Sequence, residues 1–461
     1  MPRASKKVLP PVRWSSRTTF VVAAIGAVIG FNDFTQFPYL VAHYGGSAFL
    51  VVYFFGVVFI ALPFMAAELL VGRQGRGDPV AGFGRLAAES GRCASWRGLG
   101  SLLIAGGFMA ATYFSVVASW MAGYLVRVAA NVFGTMNTIG AGQVFSVYVR
   151  DPERQLFWFT AFVLVTMVTS GVGIKRGVER VTPWVLGAAL LVFAGLIGYG
   201  QHLDPSGTSA ALLFNPDFTK LTPRGIIVAI GHAFYGLSLG TGALYAYGSY
   251  LPDEVPIFKW AFLIALTDII IGALAGLVIY PVSLAAGLKA GLGPTLIFAT
   301  LPVAFDHLPG GPIAGALFFG LLIVVAWTAA VAFVEPAVLW VTRARSCTRA
   351  EAARSVGLGL WTLGAAGIVS LNYWSFSFPF FGQERTLGIF DVLSIAAFDV
   401  LLPAASLALA LFLGWIIRRD LTEKALRAIS PCVYEMWLWG LRIIAPALLV
   451  FILFHLKRLD L

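Results

Sequence analysis

Apolar residues run along this chain in long blocks, without the alternating or one-sided spacing of a soluble domain. Eleven blocks, at about 18–43, 46–71, 99–131, 155–174, 180–201, 223–250, 258–288, 312–342, 352–372, 389–417 and 433–456, can each cross a hydrocarbon layer of about 30 Å. Short polar connections separate them, so the pattern predicts an all-α membrane protein of eleven spans. Two blocks break the pattern. In the first, Gly26 to Pro38 reads GAVIGFNDFTQFP and places Asn32 and Asp33 near mid-span. A carboxylate at that depth is costly unless it meets a cavity, a partner or an ion. Backbone leaves the helix there only where protein or water satisfies it. In the sixth, GHAFYGLSLGTGALYAYGSY from Gly231 to Tyr250 sets Gly236, Gly240 and Gly242 around Ser238 and Thr241. Small residues alone also serve close helix packing. Paired with a break five spans earlier, they predict two five-helix repeats of inverted topology with a solute or ion site between them. The division is a tail at 1–17, a first repeat at 18–201, a second at 223–417 and an eleventh span at 433–456.

Composition agrees: 59% of residues are hydrophobic and 12% charged, outside the range of soluble domains. The net charge of +10 suggests nucleic acid until its placement is considered. Of the 32 Lys and Arg, 22 fall on the tail and on alternate connections, among them Arg3, Lys6, Lys7, Arg13, Arg73, Arg343, Arg349 and Arg418. That bias puts the amino terminus in the cytoplasm and, with an odd span count, the carboxyl terminus outside. The basic runs are topology signals in an inner (plasma) membrane, and no nucleic-acid partner is expected. The first span lacks a small-residue cleavage site and is expected to be retained. Cys93, Cys347 and Cys432 form neither a disulfide framework nor a metal spacing. With no nucleophile–base pair, metal cluster or phosphate loop, an enzyme is not expected.

Several runs match a known family. WSSRTTFVVAAIGAVIG, FPYLVAHYGGSAFLVVYF and ALPFMAAELLVGR resemble the opening of the neurotransmitter:sodium symporters. YFSVVASW, GLSLGTGALYAYGSY, AGLVIYP and LLPAASLALALFLGW resemble the same family in spans three, six, seven and ten. The similarity runs from about Trp14 to Leu456. It implies the LeuT-type 5+5 inverted repeat with broken helices 1 and 6, and sodium-driven uptake of an amino acid or related amine.

The resemblance also implies residues. A second sodium site would use carbonyls of Gly26, Ile29 and Val325 and the hydroxyl of Thr328, while the fifth ligand, usually a serine, falls on Ala329. Thr328 bonding back to its own helix is the structural alternative. The first sodium site maps to Val28, Asp33, Gly236 and Thr267, with Asp33 where the family has Asn and Gly236 where it has Thr. Ile271 stands where chloride-dependent relatives have a serine, so chloride is not expected. His232 replaces a Gln bordering this site, which makes an Asp33–His232 couple conceivable.

The implied substrate chamber is lined by Gly30, Phe31, Asn32, Asp33, Ala110, Phe114, Tyr235, Ser238, Thr241 and Phe333. Phe114 replaces a tyrosine that binds the substrate carboxylate, Asn32 replaces a glycine, and Gln36 replaces the arginine of an outer gate whose acid is Asp391. These losses predict a solute other than a standard zwitterionic α-amino acid held in the usual pose. Asp33 then either completes the sodium site beside a neutral solute, faces a cationic amine, or pairs structurally with His232. At the cytoplasmic gate Tyr250 matches the family, Pro11 and Arg343 replace its charged pair, and Glu335 is expected to pair with Arg13 or Arg343. Glu68 matches a buried acid below the broken region, and Trp120, Arg442 and Pro446 match family positions without an evident chemical role. The expected function is sodium-coupled symport of a small amino-acid-like or amine solute across the lipid bilayer. Proton coupling through Asp33 and His232, or a transport-dead sensor, are the alternatives.

Overall fold

The computed structural model of the chain describes residues 13–289, 291, 293–380 and 383–456. Arg3, Lys6, Lys7 and Pro11 lie outside the described residues. Among the described residues, nine helices are long and apolar enough to cross a membrane: Ser47–Gly75, Ala94–Ala129, Pro152–Val172, Ile174–Leu203, Ile257–Ala285, Gly311–Ala344, Arg349–Ser370, Ile389–Ile416 and Pro431–Phe451. These are spans 2, 3, 4, 5, 7, 8, 9, 10 and 11. Span 1 is a bent pair, Arg17–Val28 and Asn32–His43, with a 58° angle between its halves. Span 6 is also divided, into Pro223–Tyr235 and Ala243–Ser249, halves too short to count by length alone. With both broken spans included, the described residues form the eleven expected.

Local chemistry sets these boundaries. Ser16 caps span 1 by accepting the Thr19 N–H at 3.1 Å, and Thr222 caps span 6 by accepting that of Gly225 at 3.1 Å. Span 6 comes apart because Gly240 and Gly242 adopt φ of 81° and 74°, values that cost glycine nothing. Ser238, between them and Tyr235, is held at φ 53°, a region that non-glycine residues seldom occupy. Outside the spans, strands Ser375–Phe380 and Gln383–Gly388 form an antiparallel hairpin between spans 9 and 10, with Ser375 opposite Gly388. The all-α reading did not include it, because a six-residue strand is too short to stand out beside blocks of twenty apolar residues.

Glycines bring three spans together at the centre. A Cβ on Gly107 of span 3 would stand 2.3 Å from the Thr241 carbonyl oxygen of span 6 and 2.7 Å from that of Phe333 in span 8. Its neighbour Gly106 faces the Gly240 carbonyl and Leu402 of span 10. Span 2 lies equally close to the second half of span 6, since a Cβ on Gly72 would overlap the Tyr245 carbonyl at 2.1 Å. The two breaks thus sit inside a shell of helices packed backbone to backbone.

Candidate functional site

The break in span 1 is built around Asp33, which is 2% exposed. Its Oδ2 accepts the Gly30 N–H at 2.8 Å. In a continuous helix that N–H would close onto the Gly26 carbonyl. Ile29 has ψ 120°, which turns the chain out of the helix. As a result no N–H among the described residues closes onto the carbonyls of Gly26, Ala27, Val28 or Ile29. Four acceptors are released at one level in the membrane, where an unpaired carbonyl calls for a cation or water.

Span 8 faces one of them. A Cβ on Gly26 would lie 3.0 Å from Thr328 Cβ and 3.3 Å from its Oγ1. The Thr328 hydroxyl donates to the Val325 carbonyl at 3.0 Å, which leaves its lone pairs open. Gly26, Val325 and Thr328 are therefore brought together, and they offer the hard oxygen donors that a sodium ion takes. Ala329 is buried and brings no oxygen.

Across the same break, span 7 supplies Asp268, 1% exposed. Neither of its oxygens has a hydrogen-bond partner among the described residues. It lies near enough to Asp33 for the two carboxylates to repel, and the Tyr53 hydroxyl approaches it without full hydrogen-bond geometry. Thr267, one residue earlier, is half-exposed and donates to its own helix at Leu263 O, 2.8 Å away. His232 is stacked on Phe37, with ring centroids 5.3 Å apart and planes at 17°. It also touches Tyr53 at 5.8 Å, and its Nε2 is buried without a partner. No hydrogen bond joins His232 to Asp33 among the described residues. Gly236 packs against the His232 carbonyl and the Tyr53 hydroxyl.

The break in span 6 is held by Glu68 of span 2. Its Oε1 accepts the N–H groups of Gly240 at 3.2 Å and Gly242 at 3.4 Å. Thr241 Oγ1 donates to the Ser238 carbonyl at 2.9 Å and accepts from Ala243 N at 3.3 Å, closing the turn locally.

Between the breaks the residues expected to line a chamber form an aromatic cluster. Phe114 meets Phe31 at 4.8 Å, Phe333 at 5.3 Å and Phe398 at 6.2 Å between ring centroids. A Cβ on Gly30 would stand 4.0 Å from the Phe114 ring. Ala110, one helical turn before Phe114, is buried. Phe31 and Asn32 keep backbone N–H groups that no described residue accepts. Tyr235 ends the first half of span 6, and its electrostatic neighbour is Asp399 of span 10.

The residues expected to form gates lie in two places. On one side Asp391 is exposed and its Oδ2 accepts the Gly388 N–H at 2.8 Å, and no bond joins it to Gln36 among the described residues. On the arginine-rich side, the Tyr250 hydroxyl donates to Glu335 Oε1 at 2.7 Å, while Glu335 Oε2 is paired with Arg349. Arg349 also donates to Tyr250 Oη at 3.3 Å and to the Ser170 carbonyl at 2.7 Å. The pairing of Glu335 with Arg13 or Arg343 is thus corrected. Arg343 lies two turns further along span 8 and pairs with Asp78 at 3.0 Å. Arg349, at the start of span 9, reaches back to Glu335.

Asp268, Arg349 and Phe398 were not singled out in the sequence. Asp268 carries the signal that exposed Asp33, an ionisable residue inside an apolar block. Arg349 was visible only as one more positive charge on a connection.

Two broken spans five apart, with released carbonyls and buried carboxylates at the breaks, define the architecture of a secondary transporter. The sodium:neurotransmitter symporter family model matches residues 12–134 and 151–457, and the chain belongs to that family. It is 27% identical to an uncharacterized sodium-dependent transporter of Haemophilus influenzae, over 95% of this chain and 96% of that protein. A second uncharacterized sodium-dependent transporter, from Bacillus subtilis, is 28% identical over 97% of this chain and 98% of its own length. The crystal structure of MhsT in complex with L-phenylalanine superimposes with a TM-score of 0.82 at 31% identity, covering 96% of this chain and 98% of MhsT. The chain is therefore a multi-pass membrane transporter of the sodium-coupled class, with the LeuT-type fold, and not an enzyme.

Proposed function

We propose that this chain carries a small amino-acid-like or amine solute across the inner membrane in symport with sodium, by alternating access. The observation that carries the reading is the release of the Gly26 to Ile29 carbonyls beside Thr328, a cradle of neutral oxygens suited to a monovalent cation. A second cation would sit at the other face of the same break, near Val28, Asp33 and Gly236, with Asp268 supplying charge where Thr267 turns away. Two fixed carboxylates there make a chloride ion unnecessary. Spans 1, 2, 6 and 7 would move as a bundle against the rest, with the Glu335–Arg349–Tyr250 gate closing the cytoplasmic, arginine-rich side.

The solute is proposed to differ from a standard α-amino acid in its usual pose. Phe114 has no hydroxyl to offer a carboxylate, and Asp33 is engaged by Gly30 and faces Asp268. Gly30, Phe31, Asn32, Ser238, Thr241 and Phe333 would contact the solute, with Tyr235 at the rim.

Uptake into proteoliposomes tests this reading. A sodium gradient should drive flux that survives replacement of chloride by gluconate. The unpartnered Asp268 beside Asp33 favours a proton as the alternative coupling ion, and flux driven by a pH gradient alone would select it. Ligand binding with no flux under either gradient would mean a sensor.

A further inference from the structure

Arg442 matches a family position, yet nothing in the transport mechanism uses it. It lies in span 11, within a π-bulge at Gly440–Ile444. It packs against a second π-bulge at Phe412–Ile416, where span 10 ends just before Arg418 and Arg419. Each bulge inserts a residue and re-aims the side chains after it. Here they aim at each other. Arg442 Nε donates to the Gly414 carbonyl at 2.6 Å. A Cβ on Gly414 would stand 2.9 Å from Arg442 Cγ, so glycine is what lets the arginine stem lie there. The guanidinium carbon is 5.3 Å from the Trp415 ring centroid and 5.5 Å from that of Trp439.

This pocket faces outward. Trp415 is 56% and Trp439 50% exposed, and Ile443, Ile444 and Leu411 around them are also exposed. Such an apolar surface with tryptophans at a span end is the lipid-facing surface near the interface. A guanidinium there would be expected to carry a counter-charge. The neighbouring arginines have theirs: Arg418 pairs with Asp420, and Arg419 with Glu423 and Glu435. Arg442 has only the Gly414 carbonyl and two ring faces, and no described carboxylate lies within salt-bridge distance. Its terminal nitrogens remain as a pair of parallel donors, the arrangement that binds a phosphodiester through two oxygens.

We propose that Arg442, walled by Trp415 and Trp439 on Gly414, is a binding site for the headgroup phosphate of an anionic phospholipid. The acyl chains would lie along the exposed Leu411, Ile443 and Ile444. An anionic headgroup is favoured over a zwitterionic one because Arg442 has no carboxylate of its own to balance it, and Lys424 and Arg427 add positive charge at the same end of the molecule beyond the pairs that Arg418 and Arg419 make. The site is separate from the ion and solute chamber, so the proposal stands whatever the solute is.

The test uses the full-length protein purified in a neutral detergent, with the thermal unfolding midpoint followed as phosphatidylglycerol or phosphatidylcholine is added. Phosphatidylglycerol should raise the midpoint and phosphatidylcholine should not. Arg442→Gln should lose most of that rise, and Arg442→Lys should keep part of it. In native mass spectra, wild type should retain phosphatidylglycerol at least several-fold more than Arg442→Gln. If Arg442→Gln does not fold, Trp439→Leu leaves the charge in place and should weaken retention. An equal response in wild type and both variants overturns the proposal. So does an equal effect of phosphatidylcholine, or stabilisation by inorganic phosphate alone, which would mark a general anion site.

Discussion

Asp33 Oδ2 takes the Gly30 N–H at 2.8 Å, and that bond is the reason Gly26 keeps a carbonyl to offer span 8. One side chain thus links the two faces of the break in span 1: its carboxylate is beside Asp268 on one, and on the other it leaves an oxygen free near Thr328. Asp33→Ala should let the helix continue toward Gly30 and withdraw that oxygen. Bonds to a charged group contribute about 1.5–3 kcal/mol, so sodium affinity should fall by at least about tenfold. Asp33→Asn keeps an acceptor and should lose less. Sodium titrations of thermal stability would read this, and unchanged affinity in Asp33→Ala would refute the link.

Gly26→Ala tests the same contact from the other partner. Its Cβ would be 3.0 Å from both Leu186 Cδ1 and Thr328 Cβ. Span 1 must then move away from span 8 by a few tenths of an ångström. Overpacking of this kind costs about 1–3 kcal/mol. Sodium-driven uptake should drop sharply while the protein still folds and is inserted. Wild-type uptake at low sodium would show that span 8 does not contribute to ion binding there.

At the arginine-rich gate, Glu335 is fully buried and holds both Tyr250 and Arg349. Removing one partner of a buried pair is severe, about 3–5 kcal/mol, because the other charge is left behind. Glu335→Gln should therefore favour opening on this side. In a background free of Cys93, Cys347 and Cys432, a cysteine at Ser249 should react several-fold faster with a water-soluble maleimide. Arg349→Gln should do the same, whereas Arg343→Gln removes an exposed partner from Asp78, which keeps the Ala81 N–H at 2.9 Å, and should change the rate less.

Glu68 is expected to act through its oxygen rather than its charge. Gln can still accept from Gly240 and Gly242, but Ala cannot. Leaving those two buried N–H groups unpaired costs about 1–3 kcal/mol each. Glu68→Ala should lower the unfolding midpoint markedly and Glu68→Gln only slightly, as read by fluorescence-monitored melting in detergent. Equal loss in both variants would assign Glu68 an electrostatic role instead.

The breaks were legible because membrane helices tolerate so little: one carboxylate in span 1 and three glycines in span 6 are conspicuous among apolar neighbours. What stayed hidden depends on rotation about a helix axis. Thr267 and Asp268 are adjacent in sequence, but they point about 100° apart, and only the fold shows which of them faces Asp33. Arg349 was hidden for a related reason. It reaches Glu335 from the next helix after a turn, a contact no local spacing encodes. The hairpin falls between spans 9 and 10, in a connection where hydropathy has little to say.

Gly107 meets the Thr241 and Phe333 carbonyls with no side chain between them. Interlocked side chains must climb past one another when helices slide, as knobs leaving holes. Bare backbone need not. In the proposed bundle motion, span 6 would slide against spans 3 and 8 at this bare-backbone contact. A single added methyl group at Gly107 would push spans 6 and 8 off span 3, so the contact that lets the helices pass closely is also the one least able to accept a side chain.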